Sequence, residues 1–276
     1  MASQAWELAH RAAAAAGVEL RPLRTLDECD AIIRVMTATW GEGQNVPREM
    51  IRALADSGNV PQGAFAGREL IGFVLGWTGV DEREGPHVHS HMLAALPDRR
   101  HRGVGYALKL AQRADALERG IALARWTFDP LVARNAYFNL HKLGAVADRF
   151  ERDFYGEMTD ELNREDRSDR LVVRWALDRE PGPRGIGPQA ADDVVLRRED
   201  ERPRIVGRPS GSLAVVEVPP EHRELRERDP ALATSWREAV AEAVEACLGR
   251  GMVALAFDRE RSAYVFATPS ADAETA

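Results

Sequence analysis

Hydrophobic and polar positions along this chain switch between two periods, and each switch marks an element. Trp6 to Ala16 reads as an alanine-rich helix stopped by Gly17, and Val18 to Leu23 alternates like a half-buried strand. Thr25, with Glu28 three residues on, forms a capping box whose helix runs through Ile32, Ile33, Val35 and Met36 to Trp40. After a loop at 41–45, Pro47 opens a second helix that ends near Ser57-Gly58. Ala64–Ala66 and Glu69–Trp77 read as a hairpin turning at Gly67-Arg68, with 79–86 as a polar turn region. Val88 to Leu96 is the next apolar strand, stopped by Pro97. A long helix then runs from Gly103 to Arg119.

Further on, Ile121–Phe128 is a strand broken by Asp129-Pro130, and Arg134–Leu143 is a helix closed by Gly144. Strands are expected at Ala145–Tyr155 and Leu171–Leu177, separated by the polar loop 156–169. Residues 179–193 are rich in proline and glycine and lack a period, so they read as a linker between residues 1–178 and 194–276. The second part shows a strand (Ser212–Val218), a short helix (Glu221–Arg226), a helix Pro230–Leu248 and a hairpin pairing Met252–Phe257 with Tyr264–Ala267. Disorder is expected for 269–276. Leu232, Trp236, Val240, Val244 and Leu248 form an apolar stripe that needs a partner surface, in the chain's own core or in a homodimer.

Composition narrows the partners. With 276 residues, 45% hydrophobic and 29% charged, the chain is an ordinary globular protein of one or two domains. A net charge of −7 argues against nucleic acid and membrane surfaces as partners. The basic run Arg99–Arg102 is therefore a local feature, suited to a local anion. Cys29 and Cys247 match no disulfide or metal spacing, and neither a signal peptide nor a membrane span is evident, so a cytoplasmic location is expected.

That basic run sits between a strand and a helix, with Gly103 and Gly105 beside it. Strand, basic glycine turn and helix together can hold a phosphate: the turn exposes N–H groups, and the helix start adds partial positive charge. The spacing R-x-x-G-x-G, here Arg100-His101-Arg102-Gly103-Val104-Gly105, lies within the order strand, two helices, three strands, helix, strand, helix, two strands. On these residues, and on Asn135 with Lys142-Leu143-Gly144, the chain resembles the GCN5-related N-acetyltransferase (GNAT) superfamily over roughly 18–178. The C-terminal part suggests one of its less-characterised bacterial branches.

The resemblance implies an α/β fold with a mixed, mostly antiparallel twisted sheet flanked by helices; the small C-terminal α/β extension is a departure that the family's minimal fold does not require. It implies acetyl-CoA or another acyl-CoA as co-substrate, and a small-molecule amine or protein N-terminus as acceptor. Backbone groups of Leu93, Ala94 and Ala95 would pair with the pantetheine arm, Arg100, His101, Arg102, Gly103, Val104 and Gly105 would hold the pyrophosphate, and Asn135 would contact the arm. The family's tyrosine, four residues before the glycine of K-L-G, is Leu140 here. Tyr155, Tyr137 or water is left to protonate the departing thiolate, and a catalytically silent CoA-binding module is the alternative.

His87, His89 and His91 share one face of their strand at period two. They could bind a metal, act as a base, or simply be hydrogen-bonded sheet residues. No Cys, Asp or Glu at a ligand spacing joins them, so no metal is expected. As proton acceptor from an amine, His91 is preferred over His89 because it lies nearest the cofactor strand. The acidic residues of 157–166 could attract a cationic amine, although arginines are interspersed among them.

Overall fold

The structure is a computed structural model, and it describes residues 1–42, 46–99, 102–158, 166–184 and 193–269. Arg100, His101, Asp160, Glu161, Glu165, most of the linker and 270–276 lie outside the described residues. The fold is a mixed α/β architecture with mostly antiparallel strands. The chain divides into two compact units, one of residues 1–126 and 177–179, the other of 127–158, 166–176 and 180 onward.

In the first unit, the order is α1 (Ala2–Ala15), β1 (Glu19–Pro22), α2 (Leu26–Trp40), α3 (Arg48–Asp56), β2 (Gln62–Ala66), β3 (Glu69–Asp81), β4 (Gly85–Ala95), α4 (Val104–Glu118) and β5 (Leu123–Phe128). Strands β1 to β4 pair antiparallel in sequence order, and β5 joins β4 in parallel. The capping box forms as expected: Thr25 accepts from Glu28 N–H, and Glu28 accepts from Thr25 N–H. It starts α2 in register to bury Cys29, Ile32 and Met36 against Phe73 and Leu75. On the other face, Ala64, Ile71 and Val74 meet Val104 and Leu108 of α4. Ala5, Ala9 and Ala13, spaced by four, give α1 a buried face of small residues, and α1 packs closely on α4. The expected polar turn at 79–86 is instead mostly strand, because Asp81 Oδ1 accepts from Arg83 and Glu84 N–H (2.9 and 3.1 Å) and closes a tight hairpin.

The second unit holds α5 (Ala133–Ala136), which continues as a π-helical stretch over Tyr137–Lys142, then β6 (Val146–Glu151) and β7 (Arg170–Ala176). It continues with β8 (Asp193–Glu199), β9 (Arg202–Ile205), β10 (Leu213–Glu217), α6 (His222–Arg228), α7 (Pro230–Leu248), β11 (Val253–Asp258) and β12 (Ala263–Ala267). The strand order is β7-β6-β11-β12-β10-β8-β9, parallel only between β8 and β10. The C-terminal part therefore extends the sheet directly from β6, with Ala254 opposite Ala147. The stripe of α7, with Trp236, Val240 and Val244 fully buried, packs on the sheet strands β6, β8, β9 and β10. It is covered within the chain, and the homodimer loses that surface.

Sequence reasoning passed over the β8–β9 hairpin. Its turn residues, Asp200 and Glu201, both take positive φ (46° and 64°), a conformation normally signalled by Asn or Gly. Its outer strand carries Pro203, acceptable only at a sheet edge.

Candidate active site

β4 changes character halfway along. Leu75 lies opposite Met92 but Gly76 opposite Ser90, so His91 is the extra residue of a β-bulge. On its other side β4 pairs with β5, among the described residues, at Val88 with Ala124 and His89 with Arg125. Beyond them, Leu93, Ala94 and Ala95 keep their β3 partners Val74, Phe73 and Gly72, but have no register partner toward β5 among the described residues. An extended ligand can add to such a free strand side through backbone hydrogen bonds.

The same strand leads to a helix start. Leu96 N–H still bonds Ile71 O (2.8 Å), a short 3₁₀ turn over Pro97–Arg99 follows, and Gly103 caps α4. Gly103 has φ +86°, which an L side chain rarely adopts. Helix α4 has no side-chain N-cap and no acidic residue in its first turn, and Ala107 N–H makes the bond to Gly103 O (3.0 Å). Nothing in that first turn offsets the positive end of the helix dipole. Arg102 is exposed beside it, whereas Arg99 is engaged by Asp98 at 3.1 Å. Gly105 differs from Gly103: a Cβ there would sit 3.7 Å from Leu93 Cδ2, ordinary contact. The protein itself has room for a Cβ at 105.

The histidines lie at the bulge. Trp77 is directly opposite His89 in the register, and its indole stacks on His89 at 4.8 Å and meets His91 at 4.9 Å. The two imidazole centroids are 6.0 Å apart, and both rings lie against that indole. Among the described residues no group of His, Cys, Asp and Glu is arranged to hold a metal. Burial, reinforced by the charges of His91, His87 and Lys109, pulls His89 down to about 4. His91 is exposed to solvent, yet the protein crowding it still lowers its pKa. Both are neutral at pH 7, and His91 is the accessible one.

Three residues that sequence reasoning missed lie on the buried face of α4. Lys109, Gln112 and Arg113 are all buried. Lys109 Nζ donates to Ser90 Oγ (2.7 Å) and stands 3.6 Å from the centroid of the Trp126 ring. Burial lowers its pKa to about 7. Arg113 donates to the carbonyls of Leu177 (2.7 Å) and Arg179 (3.1 Å). The signal was available in the sequence, since polar residues at i, i+3 and i+4 interrupt the apolar stripe of an otherwise Ala/Leu helix.

In the second unit, Asn135 is exposed on α5 and Leu140 is fully buried in the π-helical stretch, which replaces the expected regular helix. Tyr137 stacks on His141 at 4.5 Å. Tyr155 is not in a strand as expected: β6 ends at Glu151, and Tyr155 sits in the turn that follows, 43% exposed. Its hydroxyl lies 3.1 Å from Thr127 Oγ1, and its N–H donates to Ser168 Oγ (2.9 Å). Asp166, from the acidic loop, is taken up by Arg237 and by Arg226 at 3.5 Å, so its charge serves the core.

No protein-family model matches the sequence, and no curated protein matches it. Similar solved structures include the ribosomal-protein-S18-alanine N-acetyltransferase from Escherichia coli, at 14% identity over 62% of this chain and 99% of that one, TM-score 0.47. Arabidopsis thaliana Naa50 with a bisubstrate analogue gives 16% identity, 58% and 99% coverage, and TM-score 0.43. An aminoglycoside 6'-N-acetyltransferase complexed with coenzyme A gives 13%, 59% and 99%, and TM-score 0.44. From β1 to β7 the chain itself follows the element order implied by its resemblance to the GNAT superfamily.

Proposed function

We propose that this chain is an acyltransferase that moves an acetyl or other acyl group from acyl-CoA to an amine by direct transfer. One observation carries the reading: β4 loses its β5 partner after His89 and leads from that free side to an uncapped helix start. The free side offers backbone groups of Leu93, Ala94 and Ala95 to the amides of a pantetheine arm. The start of α4, with Gly103, Val104, Gly105 and Arg102, suits a pyrophosphate, and Arg100 and His101, outside the described residues, are assigned to the same ligand. The acyltransferase domain is assigned to 1–178, with 194–276 as its extension.

In the chemistry proposed, His91 accepts the proton of the attacking amine, directly or through water. N–H groups of β4 polarise the thioester carbonyl. The amine nitrogen bonds to the acyl carbon, the C–S bond breaks, and Tyr155 protonates the thiolate. Asn135 is assigned to the pantetheine arm. The acceptor is a small-molecule amine or a protein N-terminus.

Isothermal titration with CoA and acetyl-CoA tests the binding half, and thiol release with a panel of amines tests the transfer. Binding with no thiol release would mark a silent CoA-binding module. No binding at millimolar ligand would overturn the reading.

A further inference from the structure

A buried lysine needs a reason. Removing an ammonium group from water is expensive, and Lys109 has no carboxylate partner among the described residues. Its contacts are instead two, and they lie on different strands. Nζ donates to the hydroxyl of Ser90 on β4 (2.7 Å), and it stands over the indole of Trp126 on β5 (3.6 Å).

The positions of those partners are informative. The last β4–β5 pair is His89 with Arg125, and Ser90 and Trp126 are the next residues along each strand. Lys109 therefore grips both strands one step past the point where their own pairing ends. Ser90 also directly precedes the bulged His91. A hydrogen bond and a cation–π contact from one nitrogen replace the backbone ladder there.

We propose that Lys109 is a positioning residue: from the α4 side of the sheet it ties β4 to β5 where they part, and so sets the gap that the acyl-CoA arm enters. This rests on the acyl-CoA reading for its purpose, but the tie itself is testable without any ligand. Lys109 is buried, with its nitrogen engaged by Ser90 and Trp126. It acts through Ser90 and Trp126.

The test uses the full chain and Lys109→Met, which keeps length and removes the nitrogen. Ser90→Ala, which removes only the acceptor hydroxyl, is read in the same way and keeps the test decisive if the methionine variant is insoluble. Hydrogen exchange over residues 88–95 should accelerate in the variants while that of β2 does not. For acetyl-CoA, KM should rise about tenfold or more with kcat changed much less, as expected when a group is displaced by a fraction of an ångström. Unchanged exchange in β4 would overturn the tie. Faster exchange with an unchanged KM would overturn its positioning role. If the native chain binds no CoA, the acyltransferase reading fails, and exchange alone then decides whether the strap exists.

Discussion

Arg237 grips Asp129 with two hydrogen bonds, 2.7 and 3.0 Å, across 108 residues of sequence. The arginine is only 3% exposed, and it also binds Asp166. Asp129 in turn accepts from Leu131 N–H (2.8 Å), so one carboxylate shapes the segment after β5 and fastens it to α7.

Breaking this cluster from one side leaves two buried carboxylates with only their longer ion pairs, Arg170 to Asp129 (3.8 Å) and Arg226 to Asp166 (3.5 Å). Arg237→Met should therefore destabilise the fold by about 3–5 kcal/mol. Burial raises the Asp129 pKa, but Arg237 and Arg170 overcome that and hold it below the usual carboxylate value. Its contribution is thus present above the unfolded pKa and lost as pH falls toward the folded one. Urea titrations at pH 7 and 3.5 should show a smaller penalty for the variant in acid. An equal penalty at both pH values would contradict the account.

Gly105→Glu separates folding from ligand binding. A Cβ there meets only ordinary contact, and an acid in the first turn of α4 favours the helix by about 0.3–1 kcal/mol. It also places a negative charge where the pyrophosphate is assigned. Melting temperature should hold or rise while CoA binding is lost. Retained binding would move the anion site elsewhere. Gly103→Ala, at φ +86°, should instead cost about 1–2 kcal/mol of stability.

His91 has to be neutral to accept a proton, and its pKa lies below the ordinary 6.5. The transfer rate, as kcat/KM, should be level around pH 7 and fall as the medium becomes more acidic than that value. His91→Gln should lower the rate about 10²–10⁴-fold. The same change at His89, which is stacked on Trp77 and already pulled to about 4, should have less effect. Equal losses at both positions would remove the distinction drawn between them.

Lys109 makes stability depend on alkaline pH. In the unfolded chain a lysine keeps its proton to about 10.5, whereas here burial brings release near 7. Between those values the unfolded chain binds more protons, so stability rises with pH across that window. Below 7 the burial penalty stands in full, opposed by the Ser90 hydrogen bond and the indole contact. Lys109→Met should be more stable than the native chain at pH 7, on the order of a few kcal/mol, and the difference should shrink by pH 10. A methionine variant less stable at pH 7 would mean that Ser90 and Trp126 outweigh the desolvation.

Much of the first unit was legible because local chemistry and tertiary need agree there. Thr25 and Glu28 cap α2, Gly103 needs a left-handed φ, and the strand at 88–96 is apolar enough to be central. The bulge at His91 was not legible, since it depends on the register against β3 and not on its own residues. Asp200 and Glu201 hid a hairpin by taking conformations that glycine and asparagine usually advertise. Lys109 escaped notice because a lysine in a helix normally reaches solvent, and only the packed sheet shows that this one does not. Tyr155 read as strand because the chain stays aromatic past Glu151, where Asp153 and Ser168 bond into a turn (3.1 Å).

The pairing of Ala147 with Ala254 also bears on how the protein is made. A ribosome adds about 5–20 residues per second, so β6 emerges on the order of ten seconds before the strand that will lie beside it. During that interval its edge is open to any other nascent chain. The sheet of the second unit cannot close cotranslationally in sequence order, and its assembly waits for nearly the last strands to be synthesised.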